Sequence, residues 1–355
     1  MLAAYRSWNE EVLAYAPSDG FLSYRQGLAA YYDTLIGDQP PTAPEEFVVT
    51  VAGSEALLFA LAATCDVGDE LIVCEPFYTN YAGFCHLLGI TVVPVTCRQD
   101  EGYRIDPAAI EAAITPRTRA IVIPTPGNPT GVVLESDEIA AIAAVCRRHG
   151  IFYISDEVYR EMVYDRGDAA VAPSLLSIPD MSQLAIIVDS VSKRYSACGA
   201  RVGWLYTRNT AVRSAALRFG QARLSPTTVD QRAAEAALKT PQSYFDKVIA
   251  EYRNRRDVLV EALGKIGIAC DAPAGAFYLP VTLPVADADD FCQWMLTSFD
   301  LDGETVMFAP MSGFYATEGL GCSAIRIAYV LGCDSLRRCV EILHAALQTY
   351  PGTRA

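Results

Sequence analysis

Between residues 47 and 206 the chain carries seven short β-prone runs, at 47–51, 71–74, 91–95, 120–123, 151–155, 185–189 and 202–206, separated by stretches of helical periodicity. The runs 71–74 (Leu-Ile-Val-Cys) and 120–123 (Ala-Ile-Val-Ile) have no polar alternate residue. That pattern belongs to strands covered on both faces. Such strands alternating with helices predict an α/β fold, a mostly parallel seven-stranded sheet wound between helices. The clearest helix starts from Ser136 or Asp137 as N-cap and stops at Gly150, and Ile139, Ile142, Ala143 and Cys146 form its apolar stripe.

After about residue 240 the texture changes. A charged helix over 244–263 is long enough to connect two domains. It is followed by Gly275-Ala276-Phe277-Tyr278, a Pro/Gly-rich stretch at 309–313, a strand over 324–330 and a final helix from about Ser335. These elements predict a second, smaller α+β domain.

Composition removes several classes of function. The 355 residues include 28 Lys and Arg against 42 Asp and Glu, a net charge of −14. An acidic surface repels phosphate backbones and anionic lipid, so neither nucleic acid nor a membrane is an expected partner. There is no run of about 18 apolar residues to span a bilayer. The first residues, Met-Leu-Ala-Ala-Tyr-Arg-Ser-Trp-Asn-Glu-Glu, lack the basic end and apolar stretch of a secretory signal. The 11 cysteines are scattered, with no C-x-x-C, and read as free thiols of a reducing cytoplasm. His86, His149 and His344 form no metal-ligand spacing.

The sequence has no G-x-G-x-x-G, no P-loop and no G-x-S-x-G elbow. Its lysines are Lys193, Lys239, Lys247 and Lys265, and the last three lie in polar helical stretches. Lys193 follows the strand 185–189, at the sheet edge where open α/β folds bind ligands. A lysine desolvated there is suited to Schiff-base chemistry. Three more segments sit at strand ends. Val51 to Leu57 is a small-residue turn into a helix, whose free N–H groups form an anion cradle. Thr125-Pro126-Gly127-Asn128-Pro129-Thr130-Gly131 is a loop. Ser155-Asp156-Glu157-Val158-Tyr159 puts a carboxylate and a phenol at the same edge. Each alone reads as a turn or a cap; four at successive strand ends point to one site.

In order and spacing these segments resemble the class I aminotransferases, pyridoxal-phosphate enzymes of fold type I, over nearly the whole chain. The matching residues are Tyr15-x4-Gly20, Gly53-Ser54-Glu55-Ala56-Leu57, Pro76-Phe77-Tyr78-Thr79-Asn80-Tyr81, Asn128-Pro129-Thr130-Gly131 and Ser155 to Tyr159. They continue with Ser190-Val191-Ser192-Lys193, Gly199 to Gly203, Gly275 to Tyr278 and Ile325-Arg326-Ile327. The nearest likeness is to bacterial enzymes of aspartate-aminotransferase type. With the change of texture, the resemblance divides the chain into a large cofactor domain, 31–243, and a small domain made of 1–30 and 244–355.

The resemblance implies pyridoxal 5'-phosphate held as a Schiff base on Lys193, whose freed amine then moves the proton between the substrate Cα and the cofactor. Asp156 is implied to pair with the pyridine nitrogen, making the ring an electron sink. Tyr159 and Asn128 are implied to bond the ring oxygen, and Tyr78 to stack on the ring. Gly53, Ser54 and Glu55 are implied to offer the helix N-terminus to the phosphate, joined by Ser190 and Arg201. Tyr15 is implied to reach the phosphate of a second subunit, so a homodimer with shared sites is expected. Arg326 is implied to bind the substrate carboxylate as a fork, with Asn128 also counted at the substrate.

Relatives carry a longer N-terminal segment with a Gly-x-Pro turn over the substrate. This chain starts close to Tyr15: either its start is truncated or misassigned, or the pocket is unusually open. No arginine or lysine is assignable to the distal carboxylate of a dicarboxylic substrate. The expected activity is amino transfer between an L-amino acid and a 2-oxo acid. The alternative is elimination, replacement or ring formation of the 1-aminocyclopropane-1-carboxylate synthase kind, started from the same lysine. A cofactor-sensing regulator would need a basic DNA-binding module, for which no sequence precedes Tyr15.

Overall fold

A computed structural model describes residues 1–165 and 171–353. The seven predicted runs form one sheet: β1 (Phe47–Thr50), β2 (Glu70–Glu75), β3 (Thr91–Thr96), β4 (Thr118–Pro124), β5 (Phe152–Asp156), β6 (Ala185–Ser190) and β7 (Gly203–Tyr206). Their spatial order is β1-β7-β6-β5-β4-β2-β3. Strands β3, β2, β4, β5 and β6 are parallel, and β7 runs antiparallel to both β6 and β1.

Because side chains alternate across a strand, both faces need an apolar cover. On β2, Leu71 and Val73 enter one core while Ile72 and Cys74 enter the other; on β4, Ala120 and Val122 oppose Ile121 and Ile123 in the same way. The helix Ala52–Thr64 covers the first face with Leu57, Ala60 and Leu61, and the helix Ser136–His149 covers the second with Ile139, Ile142 and Cys146.

The start of that second helix differs from expectation. Its N-cap is Glu135, whose N–H donates to Glu138 Oε2 at 2.7 Å in a capping box, so Ser136 and Asp137 fall inside the first turn. Gly150 ends it in the left-handed conformation, at φ 65°.

The second sheet holds three antiparallel strands in the order β8-β10-β9: β8 (Tyr278–Thr282), β9 (Ala309–Pro310) and β10 (Ala324–Ala328). Ile325 and Ile327 point from β10 into a separate core with Leu259, Leu263, Val340 and Leu343 from the helices Gln242–Lys265 and Cys333–Thr349. Alternation sends Arg326 to the opposite face.

Tyr24, Leu28 and Ala29 on the helix Leu22–Asp33 pack with Phe47 and Trp204 in a core of the large sheet. Burying these apolar side chains ties the segment 22–30 to the large sheet. Among the described residues no helix is long and apolar enough to cross a membrane.

Candidate active site

The carboxyl ends of β4, β5 and β6 open into a cavity of about 290 Å³, closed from the second sheet by Tyr278 and Arg326. Gly53, Ser54, Tyr78, Asn128, Asp156, Tyr159, Ser190, Lys193, Arg201 and Arg326 all line it.

One wall is the first turn of the helix Ala52–Thr64, which presents backbone N–H groups without intrahelical partners. The chain enters this turn through Ala52 at φ 62°, a left-handed conformation that a side chain adopts only at a cost. Close packing holds it there: a Cβ added at Gly203 would stand 2.4 Å from the Ala52 carbonyl carbon and 2.6 Å from the Gly53 nitrogen. Gly53 is also confined, since a Cβ there would lie 3.3 Å from Val158 and 3.9 Å from Ser190 Cβ. Ser190 caps the short helix Val191–Arg194 by accepting from the Ser192 N–H. Arg201 also lies near this wall; it is left-handed at φ 53° and donates to the Cys198 carbonyl at 2.9 Å.

Asp156 ends β5 and is 7% exposed. Tyr81 donates to its Oδ2 at 2.8 Å, while the Val158 N–H reaches Oδ1 only at 3.4 Å. Burial raises the Asp156 carboxyl to about 6, against the lowering effect of these bonds. Burial likewise raises the Tyr78 and Tyr159 phenols. The Tyr159 hydroxyl shares a 2.8 Å bond with Tyr278, and its ring meets Phe277 edge to face at 5.3 Å. Lys193 Nζ lies 5.8 Å from the Tyr159 ring centre and 5.5 Å from that of Phe277.

Arg326 donates from Nη1 to Asn128 Oδ1 at 3.0 Å. Its guanidinium lies between the Tyr278 ring at 4.4 Å and the Phe314 ring at 4.9 Å. The Nε–H is buried and has no hydrogen-bond partner among the described residues.

Behind Lys193 lies a buried ionic cluster. Asp189 Oδ2 accepts from Tyr32, Arg160 and Arg194 at 2.9, 3.1 and 2.5 Å. Arg194 also pairs with Glu161 at 2.7 Å, and Arg160 with Glu157. The cluster joins the segment bearing Lys193 to the one bearing Asp156 and Tyr159.

Glu55 and Tyr15 do not line this cavity. Glu55 turns its side chain away, accepting from the Val51 N–H at 2.7 Å and pairing with Arg223 at 3.3 Å. Tyr15 is 80% exposed, in a shallow hollow with Leu13 and residues 225–230. The sequence reading assigned no role to Tyr81, Tyr278 or Asp189. The first two stand within the motifs already quoted; Asp189 carries no local signal beyond its place at a strand end.

These features fit pyridoxal phosphate. The crowded glycine turn leaves room for an anion against free N–H groups, and a buried carboxylate and an amine share the cavity with an arginine whose Nε–H has no partner among the described residues. The family model for class I and II aminotransferases matches residues 3–305. The chain is 30% identical over 337 residues to "Probable aspartate/prephenate aminotransferase" of Thermus aquaticus, covering 94% of this chain and 84% of that one. A solved mutant of Thermus thermophilus aspartate aminotransferase superposes with a TM-score of 0.87 at 28% identity, over 97% of this chain and 91% of the other. The aromatic aminotransferase of Pyrococcus horikoshii superposes with a TM-score of 0.85 at 27% identity, over 95% and 88%.

The chain therefore belongs to the class I and II aminotransferases. It is a pyridoxal-phosphate-dependent enzyme of the aspartate-aminotransferase type, transferring an amino group between an amino acid and a 2-oxo acid; elimination, replacement and ring formation are not favoured. When bound, the cofactor supplies an aldehyde carbon and a ring that accepts the electrons of a broken Cα–H bond.

Proposed function

We propose that Lys193 Nζ is both the group that holds the cofactor aldehyde and the base that takes the substrate Cα proton and returns it one atom away. The observation that carries this reading is the pairing, in one cavity, of the Lys193 amine with the buried Asp156 carboxylate. Asp156 keeps a ring nitrogen protonated from the floor of the site. Tyr78 covers one ring face, and Tyr159 and Asn128 bond the ring oxygen. Backbone N–H groups of Gly53, Ser54 and Glu55, with Ser190 and Arg201, hold the phosphate; Glu55 contributes only its main chain. Arg326 orients the substrate through its carboxylate, and its aromatic neighbours keep water from the guanidinium faces.

We also infer a homodimer of the cytoplasm with shared sites. Val12, Leu13, Tyr15, Leu22 and Leu224 are large apolar side chains left more than half exposed. Covering them with a second copy removes that surface from water, and Tyr15 then reaches the neighbour's phosphate site.

The test is the absorption of the purified holoenzyme before and after single amino acids, with no oxo acid present. Loss of the yellow colour with release of pyridoxamine phosphate and a 2-oxo acid is expected. Lys193→Ala abolishes turnover; retained activity with every donor overturns the assignment.

A further inference from the structure

Glu75 ends β2 with 0% exposure, and the reading above gives it no part. A buried carboxylate is costly unless donors satisfy its oxygens. Here Oε1 accepts from Thr96 Oγ1 at 2.7 Å, within the sheet. Oε2 accepts from two backbone N–H groups, Ala316 at 2.8 Å and Thr317 at 3.1 Å. Both belong to the loop between β9 and β10, in the second sheet's part of the chain. Two residues beyond Glu75, the Phe77 N–H donates to the Phe314 carbonyl of the same loop at 2.9 Å. The end of β2 thus grips this loop at two points.

The gripped loop carries the Phe314 ring that lies against Arg326. It is tightly folded, since a Cβ at Gly321 would stand 2.6 Å from the Met311 carbonyl oxygen and 2.7 Å from the Tyr315 ring. A displacement at Ala316 is therefore passed on to Phe314. Without that ring, one face of the guanidinium is open to water and the fork loses a wall that sets its orientation.

We propose that Glu75 is a positioning residue for substrate binding: its carboxylate clasps the 312–317 loop so that Phe314 holds the Arg326 fork toward the substrate carboxylate. The proposal rests on the reading of Arg326 as the carboxylate-binding group, so Arg326→Ala is measured alongside.

The experiment compares the steady-state kinetics of the holoenzyme with Glu75→Ala and Glu75→Gln. Losing the two backbone hydrogen bonds that hold the loop is worth about tenfold, so Glu75→Ala raises KM for both the amino acid and the oxo acid by that order, with kcat within about twofold. Cofactor affinity, read by absorbance, stays unchanged. Glu75→Gln restores KM, because the amide oxygen still accepts from Ala316 and Thr317 while its NH2 donates to Thr96. A general loss of structure would lower cofactor affinity and kcat as well, without rescue by glutamine, and would overturn the proposal. Unchanged KM in Glu75→Ala beside a raised KM in Arg326→Ala overturns the clasp alone; unchanged KM in Arg326→Ala overturns the carboxylate reading as well. If Glu75→Ala does not fold, Phe314→Leu keeps an apolar side chain in the loop and removes the ring, and its KM rises or the proposal fails.

Discussion

Among the described residues, Tyr81 gives Asp156 Oδ2 at the end of β5 its shortest hydrogen bond, 2.8 Å from the phenol oxygen. The two residues set the charge of the site together. Burial drives the carboxyl up to about 6, and the phenol draws it down by bonding the ionised form.

Removing that phenol shifts the balance in a known direction. In Tyr81→Phe the carboxylate loses its best donor, and its protonation moves to higher pH. If, as proposed, a protonated ring nitrogen is bound through ionised Asp156, binding of pyridoxal phosphate by the cofactor-free protein is expected to weaken as pH falls through about 6 in the parent protein. In the variant the weakening sets in at higher pH. Absorbance titrations of both proteins across this range check it; superimposed pH curves refute it.

The same carboxyl links stability to pH. Its ordinary value is about 4, and in the folded cofactor-free protein it is about 6. Between these values the folded form keeps a proton that the unfolded form has lost. The stabilisation is present below the lower value and is lost as pH rises through the upper one. Relative to Asp156→Asn, the cofactor-free parent is expected to lose on the order of 2–3 kcal/mol across that window. Urea unfolding at stepped pH measures the difference; a constant difference rules it out.

Gly203→Ala acts from behind on the wall proposed to hold the phosphate. The new methyl carbon would stand 2.4 Å from the Ala52 carbonyl carbon, and backbone has to move to admit it. Cofactor dissociation is expected to quicken by at least about tenfold, the loss of a single charge-assisted bond. Gly83→Ala, with nothing within 4 Å of the added carbon, is the control and leaves the rate unchanged. Equal dissociation rates in the two variants would contradict this account of the wall.

The cluster around Asp189 is expected to matter for stability more than any surface ion pair. Arg194→Met leaves Asp189 and Glu161 buried with one cation fewer, a loss of about 3–5 kcal/mol. Exchanging both Arg98 and Asp100, an exposed pair, for alanine leaves the unfolding midpoint in place. Chemical denaturation of the two variants distinguishes them, and an Arg194→Met midpoint equal to the parent's would show that the cluster is dispensable.

Much of this architecture is legible along the chain. All seven strands of the large sheet form within a residue or two of the runs read from apolar patterning. The motif residues Asp156, Lys193 and Asn128 lie at strand ends because a parallel sheet gathers its carboxyl edges at one side. Other features are not legible. Tyr32 and Asp189 are 157 residues apart, and Glu75 and Ala316 are 241 apart. Neither pair has a periodicity to betray it. Tyr24 and Leu28 lie far along the chain from Trp204, yet pack in one core with it and Phe47, because their helix carries its apolar side chains that way.

Local order along the chain sufficed to predict strands, turns and the chemistry-bearing residues at their ends, because strand pairing and helix capping depend on neighbours a few residues away. Which donor faces which acceptor was decided by tertiary packing. It put Arg326 against Asn128, 198 residues away, turned the Glu55 side chain from the cavity, and surrounded Asp156 with enough apolar matter to raise its carboxyl. Burial and long-range proximity exist only once the two sheets are packed, and they set the charge state and orientation on which the reaction depends.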